Sequence, residues 1–272
     1  MKGCKDRAFD WFLVEERRRD HHVVLLPRND RKRTFSFSPS SLVVSQILTS
    51  SHIMNIQYYG DYCFKITTKP SGRATEDVVI VTDMPENATG LRAPQGEAHI
   101  VLLSHRTVDA PELEIIKGDP VKLSAPGEYS ARGVAILGFP SLRDEEAGAK
   151  RGQNTIYLFE TEETTLCFLG ALRAEPTPAV VEKLSGVDIL FVPASGVETM
   201  PVDKIDELVR KIEPKVVVPM HYKIAGMTTK LPDVKPFCDA LGNCPKETLP
   251  KWNFKKKDLE GKNMEVVILD KN

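Results

Sequence analysis

The chain has 272 residues, with 37 Lys and Arg against 38 Asp and Glu and a formal net charge of −1. That is long enough for one large core, or for two halves sharing one. The balanced charge gives no ground for nucleic acid or an acidic membrane as a partner, and no run approaches the roughly 18 apolar residues that a membrane helix needs. The five cysteines (Cys4, Cys63, Cys167, Cys238 and Cys244) are odd in number and form no CxxC pair. Reduced thiols in a cytoplasmic setting are the expectation. Cys63 and Cys167 fall in apolar runs and read as small buried hydrophobes.

Residues 1–53 differ from the rest: they hold ten Lys and Arg against six Asp and Glu, leaving 27 against 32 for residues 54–272. Arg17-Arg18-Arg19 and Arg31-Lys32-Arg33 flank the short run Val23–Leu26, and a Ser-rich stretch from Ser36 to Ser51 follows. The apolar runs are too short for a secretory signal, and Asp6, Asp10, Glu15, Glu16 and Asp20 argue against an organelle presequence. The composition predicts a disordered basic and Ser-rich extension. Met54, where a compact pattern begins, is a second candidate start.

From Met54 the strands come quickly. Asn55–Tyr59 and Tyr62–Thr68 flank the turn pair Gly60-Asp61 and predict a hairpin. Val78–Val81 is a continuous apolar run, as expected of a strand covered on both faces. His99–Leu103, Val121–Ser124, Tyr129 and Val134–Phe139 follow as short strand candidates, then Asn154–Glu160 and Thr165–Leu169 around the polar turn Thr161–Thr164.

The second half adds helices. Thr177-Pro178 opens one through Leu184, with Pro where its missing N–H is harmless. Val187–Val192 and Lys215–Met220 read as buried strands. Between them Ile205, Leu208, Val209 and Ile212 make one apolar helix face over Asp203–Ile212. Val234–Leu241 is a further helix. Trp252–Lys257 and Met264–Leu269 read as edge strands, with Lys255-Lys256-Lys257 as the solvated character of such an edge. Antiparallel strands followed by strand–helix alternation predict an α+β fold of two packed sheets with helices outside.

Two histidines, His105 and His221, follow buried strands, at the strand ends where loops converge into sites. The stretch Ser104-His105-Arg106-Thr107-Val108-Asp109-Ala110 reads as a zinc-binding loop with ligands missing. Pro126-Gly127-Glu128-Tyr129, Arg151-Gly152-Gln153-Asn154-Thr155-Ile156-Tyr157 and Pro219-Met220-His221-Tyr222 resemble the metallo-β-lactamase superfamily, and most closely its ascorbate-6-phosphate-lactonase-like branch. Order and spacing agree from about Met54 to the C-terminus. The resemblance implies a four-layer αββα sandwich with a metal site at one edge between the sheets. It also implies hydrolase activity through one or two ions, commonly zinc or manganese.

A catalytic zinc takes three protein ligands and a water, whose pKa it lowers to roughly 7. Against the family's pattern most ligands are replaced. Of HxHxDH only His105 and Asp109 remain. Arg143 meets the His of the Pro-x-x-His-Asp turn, Ala171 meets the bridging Asp after Leu-Gly, and Asp61 meets the His of the first hairpin turn. His221, in Met-His-Tyr, is retained.

Three readings follow. In the first, the chain is a non-catalytic homologue without a metal cofactor. Arg106, Thr107, Arg143 and Arg173 then line a pocket for a small anionic molecule, since guanidinium groups bind phosphate or carboxylate through paired, charge-assisted hydrogen bonds. In the second, His105, Asp109 and His221, with Asp61 as a further ligand, hold one zinc or manganese ion. In the third, the chain is an interaction protein whose old metal space is filled by Leu142 or Leu172. Metal-free nucleophilic catalysis finds little support: Ser104 neighbours His105, and Ser141 and Ser195 are on candidate loops, but no spacing identifies a triad. The oligomeric state is not legible.

Overall fold

A computed structural model of the chain describes residues 52–70, 76–106, 108–144, 146, 148–242 and 244–272. The basic N-terminal extension and the question of its start therefore lie outside the described residues, apart from the exposed His52 and Ile53.

The predicted hairpin forms from β1 (Met54–Gly60) and β2 (Cys63–Thr68). Its turn residue Asp61 takes a left-handed φ of 54°. β3 (Val78–Thr82), β4 (Ile100–Leu102), β5 (Val121–Leu123) and the late strand β12 (Trp252–Phe254) complete a six-stranded sheet in the order β12-β1-β2-β3-β4-β5. Its β12–β3 side is antiparallel, whereas β3, β4 and β5 run parallel.

The second sheet is built from β6 (Gly127–Ala131), β7 (Val134–Leu142), β8 (Gln153–Thr161), β9 (Thr164–Phe168), β10 (Ile189–Pro193), β11 (Val216–Met220) and β13 (Glu265–Val266). They lie in the order β13-β11-β10-β9-β8-β7-β6. Helices α1 (Pro178–Leu184) and α2 (Val202–Ile212) join its parallel strands, and α3 (Lys235–Leu241) leads from β11 to β12 of the first sheet. On α2 the predicted face is the one that packs: Ile205, Leu208, Val209 and Ile212 are all buried. β10 and β11 are buried at every position, as parallel strands covered on both faces should be.

Strand alternation divides the first sheet between two apolar clusters. Ile80, Ile100 and Leu102 face the second sheet in the main core. Val81, Val101 and Leu103 face the other way, packing with Cys63, Met84 and Leu113. That outer face is covered by 3₁₀ turns such as Pro111–Ile115. The implied αββα sandwich is thus present, with one outer layer thinned to 3₁₀ structure. The edge-strand expectation at Lys255–Lys257 needs correction. The strand ends at Phe254, a 3₁₀ turn spans Lys256–Leu259, and Lys256 Nζ reaches Asp188 Oδ2 at 2.6 Å. Asp258 ends the strand by accepting the Lys255 N–H at 2.8 Å.

Candidate functional site

The sheets are stitched together at one edge, beside His105. Ser104 O accepts the Thr155 N–H of β8 at 2.7 Å. Tyr157 Oη, also on β8, lies 3.1 Å from Leu103 O and 2.9 Å from Leu123 O of the first sheet. Ser104 is fixed from its own sheet as well: its N–H donates to Asp83 Oδ1 at 2.8 Å and its hydroxyl to Asp83 Oδ2. Parallel pairing of Thr82 with Leu102 brings Asp83 there.

His105 Nδ1 lies 2.8 Å from Ser104 Oγ and 3.3 Å from Asp83 Oδ2. Burial alone would raise the Asp83 pKa, but attraction to His105 and hydrogen bonds from His105 and Ser104 outweigh it, so the carboxyl is held below its ordinary range. Serine and carboxylate approach the same ring nitrogen here, unlike a hydrolytic triad, where they use opposite ones. Ser141 and Ser195 bond elsewhere, to Asn154 O at 3.0 Å and with Val197 N at 3.1 Å.

His221 lies at the end of β11, with a left-handed φ of 53°. Its ring is clamped on both sides: Nδ1 is 2.6 Å from Asp61 Oδ1 and Nε2 is 3.2 Å from Val197 O. A carboxylate and a carbonyl can only accept, so both ring nitrogens are turned toward protein acceptors and neither faces open space. Tyr62 is the common neighbour of both imidazoles, stacked on His221 with centroids 4.4 Å apart and edge-on to His105 at 5.2 Å. Burial first, and then the charge of Asp61, push its phenol pKa up.

Asp109 is exposed and joins neither histidine's hydrogen-bond set. Among the described residues, no group of three His, Cys, Asp or Glu side chains is arranged to hold a metal ion. Leu172 is in the main core, Leu142 is half-buried, and Ala171 is buried.

Of the four residues expected to bind an anion, the structure brings two together. Arg143 and Arg173 line a cleft of about 230 Å³ with Asp144, Glu146, Arg151 and Glu198. Arg106 is outside this lining and pairs with Glu86 at 2.7 Å, and Thr107 lies outside the described residues. The lining carboxylates already have donors. Asp144 accepts the N–H groups of Glu146, Gly148, Lys150 and Arg151. Hydrogen bonding, led by Arg151, holds its carboxyl below the usual range. Glu146 pairs with Lys150 at 2.5 Å, and Glu198 with Arg151 at 2.8 Å. Arg143 Nη1 reaches Arg151 O at a long 3.4 Å, while its Nε is buried with no hydrogen-bond partner.

Sequence reasoning missed Asp83, Tyr62, Arg151 and Glu198 as site residues. Parallel pairing of the apolar runs before Asp83 and Ser104 would have found the first. Arg151 opens a stretch that carries the family resemblance but assigns it no role, and Tyr62 and Glu198 carry no local signal beyond residue type.

A beta-lactamase superfamily domain profile matches residues 55–221. A metallo-beta-lactamase superfamily protein from Thermotoga maritima is 26% identical, with a TM-score of 0.61, covering 80% of this chain and 99% of its own. Igni18, a metallo hydrolase from the archaeon Ignicoccus hospitalis, is 16% identical with a TM-score of 0.51, covering 81% of this chain and 97% of its own. Among curated protein sequences none matches significantly.

Proposed function

This chain belongs to the metallo-beta-lactamase superfamily, and we propose that within it the chain is a non-catalytic homologue that binds a small anionic molecule. We place it nearest the ascorbate-6-phosphate-lactonase-like branch, on its Pro-Gly-Glu-Tyr and Met-His-Tyr stretches, and in the cytoplasm, where its buried thiols stay reduced. The observation that carries the reading is the buried, unpartnered Nε of Arg143, a charged donor on the wall of a cleft shared with Arg151 and Arg173. A buried donor without an acceptor is costly, and a shift of the Arg143 side chain toward an oxyanion in the cleft would give it one. Phosphate and carboxylate both suit a guanidinium fork.

The side chains present do not fit the metal that the fold implies. A catalytic ion needs three protein ligands. His221 has both nitrogens facing acceptors and Asp61 is hydrogen-bonded to it, which leaves His105, through Nε2, as one ligand where three are needed.

The test is thermal denaturation with and without inorganic phosphate, beside elemental analysis of protein purified without chelator. Phosphate is expected to raise the transition temperature of the wild type and not that of Arg143→Ala. A phosphate shift of equal size in Arg143→Ala would remove the cleft as the site. About one equivalent of transition metal, lost on His221→Ala, would establish instead the single-ion reading, with His221 among its ligands.

A further inference from the structure

Two loops meet across the cleft. Arg151 closes the β7–β8 loop, Glu198 lies in the loop from β10 to α2, and their side chains pair at 2.8 Å. Both are substantially exposed, at 41% and 56%, so the pair lies at the mouth and is weakly held, as exposed pairs are. Glu198 has a left-handed φ of 58°, a conformation disfavoured without glycine. The carbonyl just before it, Val197 O, is bonded to the clamped ring of His221. The backbone thus presents a carboxylate to the cleft from a tethered position. Arg151 is its hydrogen-bond partner, and the positive charges of Arg151 and Arg143 both act on it.

We propose that Glu198 is an internal stand-in for the ligand. Its carboxylate occupies Arg151 at the mouth of the cleft until an incoming oxyanion takes that guanidinium over. The proposal rests on the anion-binding reading of the same cleft and adds its regulation. An entering oxyanion must compete with Glu198 for Arg151 and must also approach a like charge. Neutralising Glu198 removes both obstacles, so the cleft is autoinhibited by a residue of its own wall.

The experiment is calorimetric titration of inorganic phosphate at low ionic strength into four full-length proteins: wild type, Glu198→Gln, Arg151→Ala and the double variant. Circular dichroism confirms folding, which half-exposed positions should leave intact. Glu198→Gln is expected to bind phosphate roughly two- to fivefold more tightly, the range of an exposed ion pair. In the Arg151→Ala background that gain should vanish, because the competition is for Arg151. Phosphate binding to the wild type that Glu198→Gln leaves equal or weaker overturns the stand-in role while the anion site stands. A gain of the same size without Arg151 overturns it too, since that would be long-range charge alone. No phosphate binding by any of the four proteins removes both the stand-in role and the anion site.

Discussion

His221 and Asp61 are joined twice, His221 N to Asp61 O at 2.8 Å and Nδ1 to Oδ1 at 2.6 Å. Both residues take left-handed backbone angles, and Tyr58 Oη touches the same turn, 3.0 Å from Asp61 O and 3.2 Å from His221 N. This double link ties the first hairpin to the end of β11. His221→Ala should therefore cost about 1–3 kcal/mol, because it leaves a buried carboxylate without its partner. Asp61→Asn keeps a residue that tolerates the left-handed region and should cost less. Urea denaturation gives both values. If the link is wholly protein-made, chelator should leave the thermal midpoint of the wild type unchanged.

A second prediction concerns acid. Asp188 is buried and accepts from Lys215 at 2.8 Å, Lys256 at 2.6 Å and the Thr165 N–H at 2.8 Å. Burial would raise its pKa, but the hydrogen bonds from Lys215 and Lys256 lead the contributions that hold it below the ordinary value. A carboxyl lower in the folded than in the unfolded chain stabilises the fold above its unfolded value of about 3.9. That contribution is lost as pH falls through the folded value. The wild type should lose stability from about pH 4 downward, and Asp188→Asn should be weaker at pH 6 with a shallower loss toward pH 3. Denaturation midpoints across that range decide it.

Gly170 has φ 62°, and a Cβ placed there would fall on Ser104 and lie 2.6 Å from Asn154 Oδ1. Ser104 is one of the residues that stitch the sheets, and Asn154 precedes its partner Thr155. Gly170→Ala should cost about 2–4 kcal/mol, combining the left-handed penalty with overpacking. Chemical denaturation measures the loss. A cost under about 0.5 kcal/mol would mean the stitch yields easily.

Tyr62 packs on both imidazoles and is buried. Tyr62→Ala should destabilise by about 3–5 kcal/mol, as expected for an emptied aromatic site. Tyr62→Phe keeps the ring and should recover most of it. If the two variants were equally damaging, the hydroxyl, not the stacking, would be the important part.

The fold was legible because its signals are local. Gly60-Asp61 between alternating strands marks the hairpin, and the spacing of Ile205, Leu208, Val209 and Ile212 marks α2 and its buried face. Trp252–Lys257 was overextended because three lysines continue a strand-like pattern, while the Asp258 side chain that ends it is a contact made on folding. The same distinction divides the site. Positions on retained motifs, Asp61, His105, Arg143 and His221, could be read by type and order. Their partners could not. Asp83 and Glu198 arrive from other loops, Tyr62 and Arg151 come from the same turns as Asp61 and Arg143, and neither the His221 clamp nor the Arg151–Glu198 pair has a sequence period. Arg106 shows the reverse error: nearness in sequence to former ligand positions did not put it in the cleft, since Glu86 takes its guanidinium.

Asp144 gathers N–H groups at 2.9, 2.7, 3.1 and 2.7 Å, from residues 146, 148, 150 and 151, so Arg143 directly precedes that knot and Arg151 closes it. Their backbones are set when the chain folds, so a ligand has only side chains left to order. The kinetic consequence is that phosphate should enter without a slow conformational phase. Its on-rate should respond to ionic strength, through screening of the guanidinium charges, and little to solvent viscosity beyond diffusion. Asp144→Ala would untie the knot, and a lag before binding should then appear in stopped-flow traces.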